Sequence, residues 1–196
     1  MRREKRKRVQ ALQMIALGVL ICAIGVAETH GIDPALMAKA RSGSPGAEVA
    51  VGVCYAEGKG VTPDLQQAAA WYRKAAYQGF VKGEIHLADL YRDGQGKTFP
   101  RDMQQAAQWY RKAADQGDSG AQGTLGMLYS LGQGVPQSDE EAYFWLDLAA
   151  STPGPNQSQY AINRQNVGTR ITADQLDEIH DREAGWKAAH SQPNAN

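Results

Sequence analysis

The chain has 196 residues, enough for one core or a short repeat array, and a formal net charge of zero. Arg2, Arg3, Lys5, Arg6, Lys7 and Arg8 stand against Glu4 alone, so the first eight residues carry a net +5 and the body is acidic by the same amount. An acidic body excludes a nucleic-acid footprint, which needs Lys and Arg clustered on one face.

Ala and Gln are abundant and β-branched runs are scarce, which favours helix. The first element is residues 11–27, ALQMIALGVLICAIGVA, apolar except for Gln13. After a basic run, and with Gly25 and Ala27 at its end, it reads as a secretory signal cleaved after Ala27. The alternative is an uncleaved anchor. Its seventeen residues, rising ~1.5 Å each, span about 25 Å, slightly short of a roughly 30 Å hydrocarbon core. Both readings hold the basic run in the cytoplasm and export the rest. The product is periplasmic or secreted if cleaved, and otherwise membrane-anchored with its body outside. Ile21 before Cys22 argues against lipidation. With the leader gone, Cys54 has no internal disulfide partner.

Residues 28–46 form a leading helix and linker, started by Asp33-Pro34 and ended by Gly43 to Gly46. A repeat then begins. Gly58-Lys59-Gly60 recurs as Gly94-Gln95-Gly96 and Gly132-Gln133-Gly134. Trp71-Tyr72 recurs as Trp109-Tyr110 and Trp145-Leu146. Two extra residues in the loop of the second unit, at Lys97 to Pro100, account for the unequal steps and have no evident reason in the sequence. The units span about 47–79, 83–117 and 121–150, within a repeat region of 47–153.

Each unit reads as two helices. The first carries Val51-Gly52 and Tyr55, then Leu87-Ala88 and Tyr91, then Leu125-Gly126 and Tyr129. Large residues four apart share a face, and the small neighbour admits a close helix. The first glycine of each G-x-G sits at a helix C-terminus. The second helix opens on a capping box: Asp64 with Gln67, Asp102 with Gln105, Ser138 with Glu141. It ends at Gly79 or Gly117, whereas Pro153 takes that place in the third unit. Residues 154–190 supply two capping helices, about 159–170 and 173–190. Thr172 caps the last of them, and Leu176, Ile179 and Trp186 face inward. Residues 191–196 are expected to be a disordered tail. The fold class is all-α, an α/α solenoid of about three helix-turn-helix repeats with flanking capping helices.

The string Ala121…Leu125-Gly126…Tyr129…Gly132…Gly134-Val135, with Trp109-Tyr110-Arg111-Lys112-Ala113-Ala114-Asp115-Gln116-Gly117, resembles the Sel1-like repeat, related in fold to the tetratricopeptide repeats. The resemblance covers residues 47–150. It implies an adaptor that presents a helical surface to an unidentified protein partner, in bacteria often exported or membrane-linked. It names no ligand.

Catalytic constellations do not emerge. His30, His86, His180 and His190 have no metal-binding spacing, Cys54 aligns with Leu90 and Leu128 in an apolar slot, and Asp64 and Asp102 are helix caps. The expectation is therefore no enzyme, no cofactor and no metal, with membrane contact only through an uncleaved leader. A secreted factor acting on a host or neighbouring cell is the alternative. A cell-wall or β-lactam hydrolase is a distant one, because the cysteine pairs of the Sel1-like proteins described in that way are missing. Two first-helix slots vary between units: Ala50, His86 and Thr124, then Val53, Asp89 and Met127. Free of packing duty, they point to His86, Asp89, Thr124 and Met127 as partner-binding residues.

Overall fold

The computed structural model describes residues 31–95 and 98–190. The leader with Cys22, His30, Gly96, Lys97 and the tail at 191–196 lie outside the described residues. Among the described residues there are nine α-helices and no strand, with one isolated bridge between Gln95 and Phe99. None of these helices is long and apolar enough to cross a membrane.

Helix α1 (Pro34–Arg41) precedes three helix pairs: α2 (Pro45–Glu57) with α3 (Leu65–Tyr77), α4 (Val81–Asp93) with α5 (Met103–Asp115), and α6 (Ser119–Leu131) with α7 (Asp139–Ser151). Helices α8 (Gln157–Gly168) and α9 (Ala173–His190) follow. From α1 to α8 each helix packs on its predecessor, and α2 also touches α4, as α6 touches α8. This is the expected all-α solenoid, with first helices in one layer and second helices in the other. Burying a shared core between neighbours is what stabilises units too small to fold alone.

The small residues set the spacing within a pair. A Cβ on Gly52 would come within 2.4 Å of the Tyr72 ring, and one on Gly126 within 2.7 Å of Leu146. Ala88 fills the same slot in the second unit and is buried. Units join through a tight helix stop. Gly79 and Gly117 take positive φ, while the amides of Phe80 and Asp118 reach back to the carbonyls of Ala75 and Ala113 at 3.1 and 3.2 Å. That is the Schellman pattern. Phe80 and Asp118 are also the N-caps of α4 and α6, so the turn leaves no slack between units.

The capping boxes form only by half. The Asp64, Asp102 and Ser138 side chains accept the N3 amides of Gln67, Gln105 and Glu141. Yet the amides of Asp64, Asp102 and Ser138 donate to the carbonyls of Tyr55, Tyr91 and Tyr129, at 2.8, 2.8 and 3.1 Å. The loop brings the preceding helix close enough to take the donor that the long side chain was expected to satisfy. Only Thr172 and Gln175 exchange both bonds. The first pair begins at Pro45, two residues before the expected 47. Helix α8 runs 157–168, not 159–170, because the amides of Arg170 and Ile171 fold back on Val167 and Gly168 in a turn.

The two ends are covered differently. Helix α1 lays Leu36, Met37 and Ala40 against Val51 and Trp71. Helix α8 takes the place a fourth first helix would hold. Helix α9 does not continue the stack; it turns back over α7. Asp139, Glu140 and Glu141, at the start of α7, meet Arg170, Gln175 and Arg182 in turn. At the far end of α9 the His190 ring nitrogen Nε2 lies 2.7 Å from the Asp115 carbonyl oxygen. Ile179 is buried, and Leu176 and Trp186 are half-buried, as the sequence predicted.

Candidate functional site

The premise that the variable first-helix slots are free of packing duty is corrected by the geometry. His86 is half-buried and stacks on Tyr72, ring centroids 4.9 Å apart. Asp89 accepts a hydrogen bond from the Tyr110 hydroxyl and pairs with Arg92 at 2.9 Å. Burial, and then the bond to Asp89, push the Tyr110 hydroxyl pKa far up, so it stays a donor. Met127 packs beside Tyr160 and Val167 of α8, with Asn163 Nδ2 3.1 Å from its sulfur. Thr124 bonds within its own helix, to the Gly120 carbonyl. These side chains reach partners because the flanking helices are so close. They are spread over α4 and α6, and they line neither the cleft described next nor the smaller one between Asp118 and Tyr160.

A concavity of about 540 Å³ opens elsewhere, between α5, α6 and the loop after α6. Ala107, Leu125, Tyr129 and Val135 make its apolar floor, and Gln104, Gln108, Arg111 and Lys112 its rim. That is the size and lining of a ligand site. Burial alone would lower the Arg111 pKa, but Asp115 at 3.0 Å outweighs burial and raises it. Arg111 also lies 4.8 Å over Trp145, and Lys112 4.0 Å over Trp109. Both cations are thus held at the rim by aromatic faces.

The corresponding junction between α3 and α4 carries Gln66, Ala69, Arg73, Leu87 and Tyr91 in the matching slots. There the longer loop folds inward. Phe99 is only 8% exposed, its ring 5.4 Å from that of Tyr91, and Gln66 Nε2 donates to the Thr98 carbonyl at 3.2 Å. The loop is pinned by the paired Gln95 and Phe99 backbones. Arg73 donates to the Tyr91 hydroxyl at 2.8 Å. Arg111 does not copy that bond, since Asp115 stands where the first unit has Tyr77.

Sequence reasoning missed the buried polar residues. Glu48 and Glu84 are each 3% exposed, and each accepts from a glutamine amide, Gln78 or Gln116, at 2.7 Å. Burial raises both carboxyl pKa values, and Lys74 or Lys112 pulls them part of the way back. Gln122 fills the slot in the third unit. Thr152 stands there in place of the glutamine, and Gln122 Nε2 turns to the Ala114 carbonyl instead. The repeat steps could have revealed this ladder, because Glu48, Glu84 and Gln122 recur in phase.

Asp147 and Glu183 were also missed, and only the return of α9 brings them together. Burial, then the bond to Asp147, push the Glu183 carboxyl up to about 8. Burial pushes Asp147 up as well, but hydrogen bonds from Arg164 and Glu183 outweigh it and hold it below its ordinary value. The pair therefore shares a proton, with Glu183 donating and Lys187 nearby at 3.8 Å. Cys54 is a half-buried free thiol, and His180 packs edge-on to Tyr143. Among the described residues no group of three or more His, Cys, Asp or Glu could hold a metal ion.

A model of the Sel1 repeat family matches residues 45–80, 81–118 and 120–151, and the first two matches begin at the first residues of α2 and α4. No curated protein matches the chain. Among solved structures, a Sel1 repeat protein from Oxalobacter formigenes is similar at 33% identity and TM-score 0.56, over 62% of this chain and 46% of that one. This chain thus spans under half the length of that relative. Helicobacter pylori cysteine rich protein B is similar at 19% identity and TM-score 0.50, over 69% of this chain and 97% of that one; that likeness is of fold.

Proposed function

The chain belongs to the Sel1 repeat family, and on that premise we propose that it is an exported adaptor that holds another protein and catalyses nothing itself. Sel1 repeat proteins are protein-interaction scaffolds. The observation that carries the reading here is how the repeat uses its residues. Most of the recurring Gly, Ala and Trp positions lie inside helix contacts, and the titratable pair Asp147–Glu183 is buried between α7 and α9. What faces solvent at the open junction is an apolar floor with an amide and cationic rim, suited to a polypeptide.

Export rests on the basic and apolar character of residues 1–27, either as a cleaved signal or as an anchor. His86, Asp89, Thr124 and Met127 keep part of their surface on the first-helix side and stay within the proposed partner footprint. Thr124→Arg tests that footprint cleanly, because its one hydrogen bond is local. Full affinity for a captured partner would remove this side from the footprint.

Affinity capture of the chain from the cell envelope, with intact mass taken on the product, tests the whole reading. A mass lacking residues 1–27, with a stoichiometric second protein, makes it a soluble adaptor. Full-length mass in the membrane fraction, with a partner, makes it an anchored one. Recovery of the chain alone from both fractions overturns the adaptor reading.

A further inference from the structure

We propose that the cleft between α5 and α6 receives an aromatic side chain from an extended segment of another protein, held as the chain's own Phe99 is held one junction earlier. The proposal rests on the adaptor reading and gives it a site and a ligand chemistry.

The protein carries its own example of the occupant. Gln66 and Tyr91 are the repeat counterparts of Gln104 and Tyr129, which line the open cleft. Between Gln66 and Tyr91 the chain places Thr98, whose carbonyl takes the glutamine amide, and Phe99, whose ring meets the tyrosine. Proline follows at 100. The shorter third loop lays Val135 and Pro136 along the cleft and leaves the space over the half-buried Tyr129 unfilled. An incoming Phe with a free backbone carbonyl before it would find the same floor and the same amide donor.

We place the occupant on another molecule, because the residues of this sequence offer no spare phenylalanine. The three phenylalanines are Phe80, Phe99 and Phe144, all within the described helices and loops, and residues 1–30 and 191–196 contain no Phe, Tyr or Trp. The rim also states a charge. Arg111 and Lys112 present two cations beside the floor, where the first junction has Arg73 turned inward onto Tyr91. A carboxylate next to the aromatic residue would meet them there as a charge-assisted partner.

The test titrates the full chain with two capped peptides, Glu-Gly-Thr-Phe-Pro-Glu and the same sequence with Ala for Phe, by calorimetry. The Phe peptide is expected to bind one to one, and the Ala peptide about ten- to a hundredfold more weakly. Replacing Val135 and Pro136 by Lys-Thr-Phe-Pro, the loop of the second unit, should abolish binding while the circular dichroism spectrum stays helical. If that graft does not fold, Arg111→Glu on the exposed rim should still weaken the Phe peptide about tenfold. Equal affinity of the two peptides, no binding of either at millimolar concentration, or undiminished binding by the folded graft overturns the proposal. A dimer in sedimentation that is lost on substituting the exposed Tyr77→Ser and competes with the peptide overturns it too, since the occupant is then a second copy. Should the envelope partner still co-purify with the folded graft, the cleft falls and the adaptor stands. Should the peptides behave as expected while no envelope partner is found, the adaptor falls and the cleft remains a peptide site.

Discussion

The junction between α3 and α4 and the junction between α5 and α6 are made of nearly the same side chains, and one is filled while the other is open. Two extra residues in one loop make the difference, because they give Phe99 the reach to turn inward. The comparison shows how a repeat array diversifies. The helices must keep their phase to pack, whereas a loop can lengthen at small entropic cost and change what a junction offers to solvent. A slot that is core in one unit becomes a candidate site in the next.

The comparison is broken most directly by Phe99→Ala. Losing a buried aromatic should cost about 3–5 kcal/mol in chemical unfolding, while Val135→Ala at the open junction, removing half-buried methyls, should cost about 1 kcal/mol. If the folded Phe99→Ala protein also binds two Phe peptides instead of one, the junctions are equivalent apart from the plug. Equal costs for the two variants would mean that Phe99 does not carry the first junction.

A second contrast uses the repeated tryptophan. Trp145 is 1% exposed beneath the C-terminal helices, whereas Trp71 is half-buried under α1. Trp145→Ala should therefore cost about 3–5 kcal/mol, and Trp71→Ala about half as much. Denaturant midpoints that fall in the opposite order would show that α9 contributes little to the end of the array.

The third junction inverts a charge. Asp147 stands where the earlier units have Arg73 and Arg111, and Glu183 of α9 caps it. Glu183 keeps its proton in the folded chain up to about 8, while in the unfolded chain it ionises near the ordinary carboxylate value. The folded state therefore holds the extra proton, and stability is greatest below the ordinary value. It falls as pH rises towards about 8, on the order of 1 kcal/mol per pH unit. Asp147 acts oppositely and lower: its stabilisation is present above the ordinary aspartate value and lost as pH falls through its depressed one. Glu183→Gln should flatten the decline between pH 5 and 8 in thermal melts. An unchanged slope would place the titration elsewhere.

The smallest effect separates the two arginines. Arg73 is half-buried and bonded to Tyr91, so Arg73→Ala should cost about 1 kcal/mol. Arg111 is exposed and paired with Asp115 at the surface, so Arg111→Ala should cost about 0.5 kcal/mol or less. Unfolding curves recorded side by side decide whether the cleft arginine is free of structural duty.

Much of the fold could be read directly. The period, the paired helices, the glycine stops and the N-caps Asp64, Asp102 and Ser138 depend on residues within a few positions of one another, and their geometry follows from local φ/ψ and hydrogen-bond needs. Site residues were less legible. His86, Asp89 and Met127 looked free because they differ between units, yet each difference is answered by a partner on another helix: Tyr72, Tyr110 and Asn163. Variation in sequence marks a slot released from the repeat, and that slot can still be occupied.

The sequence by itself determined an all-α array of three Sel1 repeats with helical ends, because hydrophobic period and turn chemistry are encoded at short range. Tertiary structure alone decided that Phe99 plugs one junction and leaves its copy open. It also turned α9 back on α7 and brought Glu183 against Asp147, thirty-six positions away. Those outcomes depend on which surfaces meet across the stack, and burial and electrostatics act through space between residues that the chain order keeps apart.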